Sequence, residues 1–249
     1  MAVVDYAQHL ARRLAEQAGA RKVERTRLRL EIATAELLAE WSYGRLTVDD
    51  ITARAGLAHG TFYRYYAGKH EIVLAVLQGF LGSIRGMRPS LSKVADPRVA
   101  IHAANRHYVE VYRQNIGLMR CLLTLRTDDP LVAEIGSRAD AGLTTRVIRS
   151  LERFGAPVAS LPLRQQELLI HAVIGTVDAL LRKVYGAAEP PLARFADDPE
   201  AITEALTDVW VRALYAPSPT LAGTPSATTV SASAGSAAAA PRKRASRPA

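Results

Sequence analysis

The segment RLTVDDITARAGLAHGTFYRYYAGKHE, residues 45–71, gathers the side chains with the clearest chemistry. Thr47 precedes an apolar-periodic stretch, with Asp50 three residues later. In that pattern a hydroxyl satisfies an orphan N–H at a helix start. Gly56 supplies the freedom for a tight turn and Leu57 an apolar plug. A second short helix, from about Ala58 to Tyr66, places Ala58, Phe62 and Tyr66 on a packed side at i, i+4, i+8. Gly60, Thr61, Tyr63 and Arg64 then point outward, with His59 and Tyr65 flanking. Gly60 permits close backbone approach, and Thr61 suits a base edge or a thymine methyl. Tyr63 and Tyr65 offer hydroxyls, and Arg64 and Lys69 charge, to phosphates. His59 lies in the first turn, where base-reading side chains sit in a helix-turn-helix. The same spacing also fits a small helical core with two surplus tyrosines, so the pattern alone leaves both readings open.

Helical periodicity dominates the elements that must hold this segment. Tyr6, Leu10 and Leu14 mark a first stretch near Asp5–Ala18, an extra helix or an arm. Leu28, Ile32, Ala35 and Leu38 share a face of a second, about Val23–Trp41. Helices follow at about Val48–Ala55, Lys69–Ile84, Arg98–Gln114, Ile116–Arg126, Pro130–Phe154, Leu163–Tyr185 and Pro199–Tyr215. Gly, Asn and Pro punctuate them. No run alternates with period two for long. The expected fold is all-α: an N-terminal three-helix helix-turn-helix unit, then a larger helical bundle.

The string TVDDITARAGLAHGTFYRYYAGKHEIV resembles the N-terminal signature of the tetracycline-repressor (TetR) family of bacterial transcription regulators. The matching features are the Thr-led helix, Ala-Gly-hydrophobic at the turn, Gly-Thr-Phe-Tyr with a further aromatic pair, and Lys69 opening the next helix. The resemblance implies phosphate contacts at Thr47, Tyr63, Tyr65 and Lys69, and base-facing roles at Val48, His59, Gly60 and Thr61. It also implies homodimerisation through the last two long helices, and a small-molecule effector bound in the bundle. The partners would be a double-stranded DNA operator, a second copy of the chain and that effector, with no membrane. Three positions depart from the pattern: Ala58 where Ser is common, Tyr66 for the usual Phe, and His70 for an acidic or polar residue.

The 249 residues carry 32 Lys+Arg against 24 Asp+Glu, a net +8. By segment, residues 1–86 hold 12 bases and 9 acids, residues 87–216 hold 16 and 15, and residues 217–249 hold 4 and 0. The near-neutral middle fits a domain that handles a small molecule, and half of the excess lies on an Ala/Ser/Pro-rich tail predicted to be disordered. Arg21, Lys22, Arg25, Arg27 and Arg29, before and within the second helix, are further DNA-contact candidates. The expected division is residues 1–22 as arm or extra helix, 23–86 as DNA-binding unit, 87–216 as effector and dimerisation domain, and 217–249 as tail.

Candidate effector contacts are His107, Tyr108, Tyr112, Met119, Leu122, Phe154 and His171, for an apolar or aromatic molecule. A stripe of this kind is more often plain core. His171 and Asp178 share one face of an apolar helix and make a weak metal pair. No cofactor, metal or catalytic residue is expected. The chain has no G-x-S-x-G, P-loop, G-x-G-x-x-G or H-E-x-x-H pattern, and its single Cys121 has no nearby His. No signal peptide or membrane-length apolar run occurs, so a cytoplasmic, nucleoid-associated protein is expected. The expected function is a repressor released from a pseudo-palindromic operator by its effector. An architectural DNA binder without effector, or an enzyme of the bundle, is the alternative.

Overall fold

Three Asp-Pro pairs set the frame of the C-terminal half. Asp96, Asp129 and Asp198 each stand at a helix start, with the following proline in the first turn. Their carboxylates accept the N–H groups of Arg98, of Leu131 and Val132, and of Ala201. Proline loses nothing at that position, because its missing N–H would have had no helical acceptor, and the carboxylate opposes the positive end of the helix dipole.

The structure, a computed structural model, describes residues 5–16, 19, 21–186 and 189–216. The predicted tail, residues 217–249, lies outside the described residues. Eleven α-helices occur among them: α1 (Tyr6–Glu16), α2 (Lys22–Glu40), α3 (Val48–Ala55), α4 (His59–Phe62), α5 (Lys69–Gly86), α6 (Pro97–Gln114), α7 (Ile116–Asp128), α8 (Pro130–Arg153), α9 (Leu163–Leu181), α10 (Pro190–Ala193) and α11 (Pro199–Leu214). A 3-10 turn at Pro157–Ser160 and a π turn at Arg182–Gly186 complete them. No strand occurs among the described residues, and no helix there is long and apolar enough to cross a membrane.

The N-terminal unit closes on a core of Leu30, Leu37, Leu38, Leu46, Ile51, Phe62, Tyr66 and Ile72, all buried. The chain's first stretch is an ordered helix. Tyr6 and Leu10 bury one face of α1, and the Tyr6 ring meets Phe80 edge-on at 5.6 Å. Gly79 makes this possible, because a Cβ there would fall 2.1 Å from the Tyr6 hydroxyl. The Tyr6 N–H, an orphan donor of the first turn, is taken by Oδ1 of buried Asn115 at 2.8 Å. An asparagine between α6 and α7 therefore ties α1 to the bundle.

In the bundle, α11 packs along α6. Asn105 donates to Thr207 in the buried seam, and Arg98 forks to Glu204 and Asp208 at 2.8 and 2.6 Å at its exposed edge. Helix α9 lies against both α8 and α11. The predicted helix over Leu163–Tyr185 ends its α geometry at Leu181 and finishes in the π turn.

Candidate nucleic-acid interface and bundle cavity

The turn between α3 and α4 is fixed at both ends by local chemistry. At the start of α3, Thr47 Oγ1 accepts the Asp50 N–H while the Asp50 carboxylate accepts the Thr47 N–H, a reciprocal capping box. At its end, Gly56 has φ +63°, the left-handed region that favours glycine. The Leu57 N–H then reaches back to the Thr52 carbonyl at 2.9 Å. Arg29 donates to the Ala55 carbonyl at 2.6 Å and covers the same helix end. Leu57 is half-buried against the core.

Helix α4 is shorter than the expected Ala58–Tyr66. The α geometry covers His59–Phe62, and the chain continues in i→i+3 bonds from Arg64 to Thr61 and from Tyr65 to Phe62. Two residues account for the difference: Ala58 supplies no side-chain cap, and Gly60 weakens the helix it sits in. The expectation that Ala58 packs inward is corrected. It stands before the helix with extended backbone (φ −67°, ψ 143°) and is exposed, so helical phase does not apply to it. Phe62 and Tyr66 are buried as expected.

The outer surface of α4 and of the turn that follows it carries most of the expected contact residues. His59, Gly60, Tyr63 and Arg64 are exposed, Tyr63 at 53%, while Thr61, Tyr65 and Val48 are half-buried at the edge of the same surface. His59 is not free to rotate: its Nδ1 lies 2.5 Å from Asp49 Oδ1, and its ring centre is 5.3 Å from that of Tyr63. Thr47 is exposed, with its hydroxyl engaged by Asp50. Lys69 is half-buried, donates to the Tyr43 carbonyl at 3.1 Å and sits over the Tyr43 ring.

Of the basic residues around the second helix, Arg27 and Arg29 are engaged inside the unit and Arg21 pairs with Glu24. Lys22, Arg25 and Arg64 have no carboxylate within ion-pair distance among the described residues. The Tyr66 departure has a structural reason. Its hydroxyl accepts from Arg27 Nε at 3.0 Å and donates to Glu31 Oε1 at 2.6 Å. Burial and then the Glu31 bond push that hydroxyl's pKa well up. The His70 departure reaches the start of α8, with Nε2 2.5 Å from Asp129 Oδ2.

The bundle holds a partly open cavity of about 660 Å³ lined by the end of α5, the segment after it, and α6, α7, α8, α9 and α11. His107, Tyr108, Met119, Leu122 and Phe154, five of the candidate effector contacts, line it. Tyr112 and His171 do not, and both expectations are corrected. Tyr112 is buried with its ring against Tyr185, 6.2 Å between centres. His171 is exposed, its Nε2 3.5 Å from Thr144 Oγ1. The α9 face that carries His171 near solvent turns inward two turns later, so Asp178 lines the cavity and His171 does not.

Inside, the Tyr108 hydroxyl donates to Asp178 Oδ1 at 2.9 Å. Burial raises the Asp178 pKa, and the Tyr108 bond only partly opposes it. Sequence reasoning missed Trp210 and the arginines of this wall, because it sought an apolar and aromatic stripe. Burial, with Arg146 and Arg85 adding to it, holds the Arg88 pKa down to about 10. Elsewhere, the ligand atoms of His102, Glu200 and Glu204 lie within 4.8 Å of one another, but Glu204 is already paired with Arg98.

Residues 32–76, from within α2 into α5, match the model of bacterial regulatory proteins of the tetR family. The chain is 39% identical over 59 residues to YxbF of Bacillus subtilis, an HTH-type transcriptional regulator, covering 23% of this chain and 16% of that protein. It is 33% identical over 76 residues to the HTH-type transcriptional activator FasR of Mycolicibacterium smegmatis, covering 30% of this chain and 35% of that protein. The chain therefore spans well under half the length of either relative. A transcriptional regulator from a Rhodococcus species superposes with a TM-score of 0.63 at 19% identity, covering 77% of this chain and 98% of that one, a likeness of fold. The capped α3, the left-handed Gly56 turn and α4 all lie inside residues 32–76, the stretch that is similar to bacterial regulatory proteins of the tetR family.

Proposed function

We propose that the chain acts in the cytoplasm as a homodimeric repressor, holding a pseudo-palindromic operator and releasing it when a small molecule fills the bundle cavity. The observation that carries the reading is the α4 surface. Its Gly60, Thr61, Tyr63 and Arg64 stand at the rim of a well-packed unit, with His59 oriented by Asp49 beside them. Gly60 and Thr61 would meet base edges, with His59 and Val48 beside them, and Tyr63, Arg64 and Tyr65 would meet phosphates. Thr47 and Lys69 act mainly as scaffold here: their polar groups hold the start of α3 and the Tyr43 loop.

Dimerisation is supported by an unpartnered apolar strip on α9 and α11. Leu168 and Val209 are 72 and 38% exposed, with Ala172, Gly175 and Ala205 exposed on the same two helices. Large exposed aliphatics beside small residues suit close helix packing against a second copy. Coupling is supported by α5, a single helix that begins beside the recognition segment and ends at the cavity. A ligand that moves its end moves the DNA-binding unit, with a coupling free energy of about 1–3 kcal/mol typical for such systems.

The test is a gel-shift titration with promoter DNA flanking the gene. Thr61→Ala and Tyr63→Ala should each weaken binding several-fold while leaving the melting temperature in place. Unchanged affinity in both variants would remove the α4 surface as the reading face. An affinity governed by salt alone, without sequence preference in a footprint, would favour the architectural alternative.

A further inference from the structure

The cavity joins an apolar interior to a basic wall in which four of the arginines have no acidic partner among the described residues. Arg85, Arg88, Arg146 and Arg149 all line it, and among the described residues no carboxylate lies within ion-pair distance of any of them. The other arginines of the wall are engaged: Arg126 pairs with Asp140, and Arg153 donates to the Leu91 and Val94 carbonyls. The acids are engaged too, Asp140 by Arg126 and Asp178 by Tyr108. Arg146 Nη2 and Trp210 Nε1 are buried donors with no hydrogen-bond partner in the protein.

The grouping is unfavourable as it stands. Arg85 and Arg88 come from the end of α5 and the turn after it, and Arg146 from α8. Each of Arg88 and Arg146 has its pKa lowered, first by burial and then by a neighbouring guanidinium. Like charges beside a low-polarity wall, with donors left over, are relieved together by a single anion. A neutral apolar ligand would relieve none of them.

We propose that the effector is an amphiphile with one anionic headgroup, a carboxylate or a phosphate, seated between Arg88 and Arg146. Its apolar body lies among Met119, Leu122, Ile174, Val177 and Trp210. This rests on the reading of the cavity as the effector site and names the class of ligand that site takes. The headgroup bridges the end of α5 to α8, so it acts on the helix that carries the DNA-binding unit. It replaces repulsion between those elements with a shared ionic contact.

The full chain titrated with decanoate, decyl phosphate and decanol tests this, read by tryptophan fluorescence and melting temperature. Trp210 lines the cavity and is one of only two tryptophans in the chain. The anions should bind about tenfold or more tighter than decanol, as expected for charge-assisted hydrogen bonds to a headgroup. Decanoate and decyl phosphate compared with each other distinguish the two headgroups. Arg88→Met and Arg146→Met should erase the preference, while Arg88→Lys, which keeps the charge, should retain part of it. The unliganded Met variants should melt at or above the wild type, because a mutually repelling charge is gone; if either fails to fold, the wild-type comparison with decanol still decides.

Decanol binding as tightly as the anions, or a preference that survives both Met variants, overturns the headgroup assignment and leaves the cavity as an effector site. No response to any of the three, with promoter binding intact in the same preparation, overturns the ligand class and leaves the DNA-binding reading standing.

Discussion

Gly117, in the first turn of α7, packs directly against the backbone of α2. A Cβ built there would fall 2.2 Å from the Leu38 carbonyl oxygen, 2.5 Å from Ala39 Cα and 2.8 Å from the Leu38 carbonyl carbon, all α2 backbone. Ordinary contact begins at 3.4 Å, so Gly117→Ala drives α2 and α7 apart by about 1.2 Å or strains both. Backbone cannot rotate aside as a side chain can. Overpacking of this kind costs about 1–3 kcal/mol, whereas Gly→Ala in an unobstructed helix gains up to about 1 kcal/mol from propensity. The two effects have opposite signs. Gly142→Ala in α8 is the control, because its Cβ would meet only the flexible Arg146 guanidinium, at 3.6 Å. Urea unfolding should show Gly117→Ala less stable by about 2 kcal/mol at unchanged m, and Gly142→Ala level or slightly more stable. Promoter affinity of Gly117→Ala should change as well, since the wedge sits between α7 and α2, the helix that packs on α3. If Gly117→Ala matches Gly142→Ala in stability, the close α2–α7 contact is wrong.

Three further outcomes follow from particular contacts. Tyr66→Phe removes the hydroxyl shared by Arg27 and Glu31 without changing shape, and should cost about 1–2 kcal/mol in chemical unfolding; no measurable loss would show that the pair relaxes into solvent. The Asp129 carboxyl has its pKa lowered from 3.8, because its bonds to His70, Val132 and Leu131 outweigh the burial that raises it. A lowered carboxylate pKa gives stability that is complete above the unfolded value and fades as pH falls through the folded one. Stability should therefore drop below about pH 4 in the wild type, more shallowly in Asp129→Asn, and parallel acid curves would contradict the pairing. Leu168→Glu combined with Val209→Arg should convert dimer to monomer in sedimentation velocity and weaken promoter binding together, and a variant that stays dimeric would move the interface off α9 and α11.

Much of the architecture was legible because its signals are local. Thr47 with Asp50 and Gly56 at the α3 end each act within four residues, and the long-helix limits read from apolar periodicity and from Gly, Asn and Pro lie within a few residues of those observed. Where a side chain was used at long range, the sequence was silent. Nothing near Asn115 announces that it caps α1, and nothing near Arg29 announces that it covers the α3 terminus. Arg27 and Arg29 read as DNA-contact candidates and Lys69 as a phosphate contact because charge is visible in a sequence and its partner is not. In the cavity, helical phase found Tyr108, Met119 and Leu122 but not that α9 turns its face inward between His171 and Asp178. The arginine wall was invisible for the same reason: its members come from α5, α8 and the turn after α5, far apart in the chain and ordinary one by one.

The most direct test of the central claim is selection of bound duplexes from a random-sequence library by the full chain. A dimer reading DNA through two α4 surfaces should enrich an inverted repeat. Its half-site centres should lie one helical turn apart, about 10 base pairs, or a multiple of that. Tyr63→Ala should abolish the enrichment. Recovery of a single asymmetric site, or of no sequence above the starting pool, would contradict it.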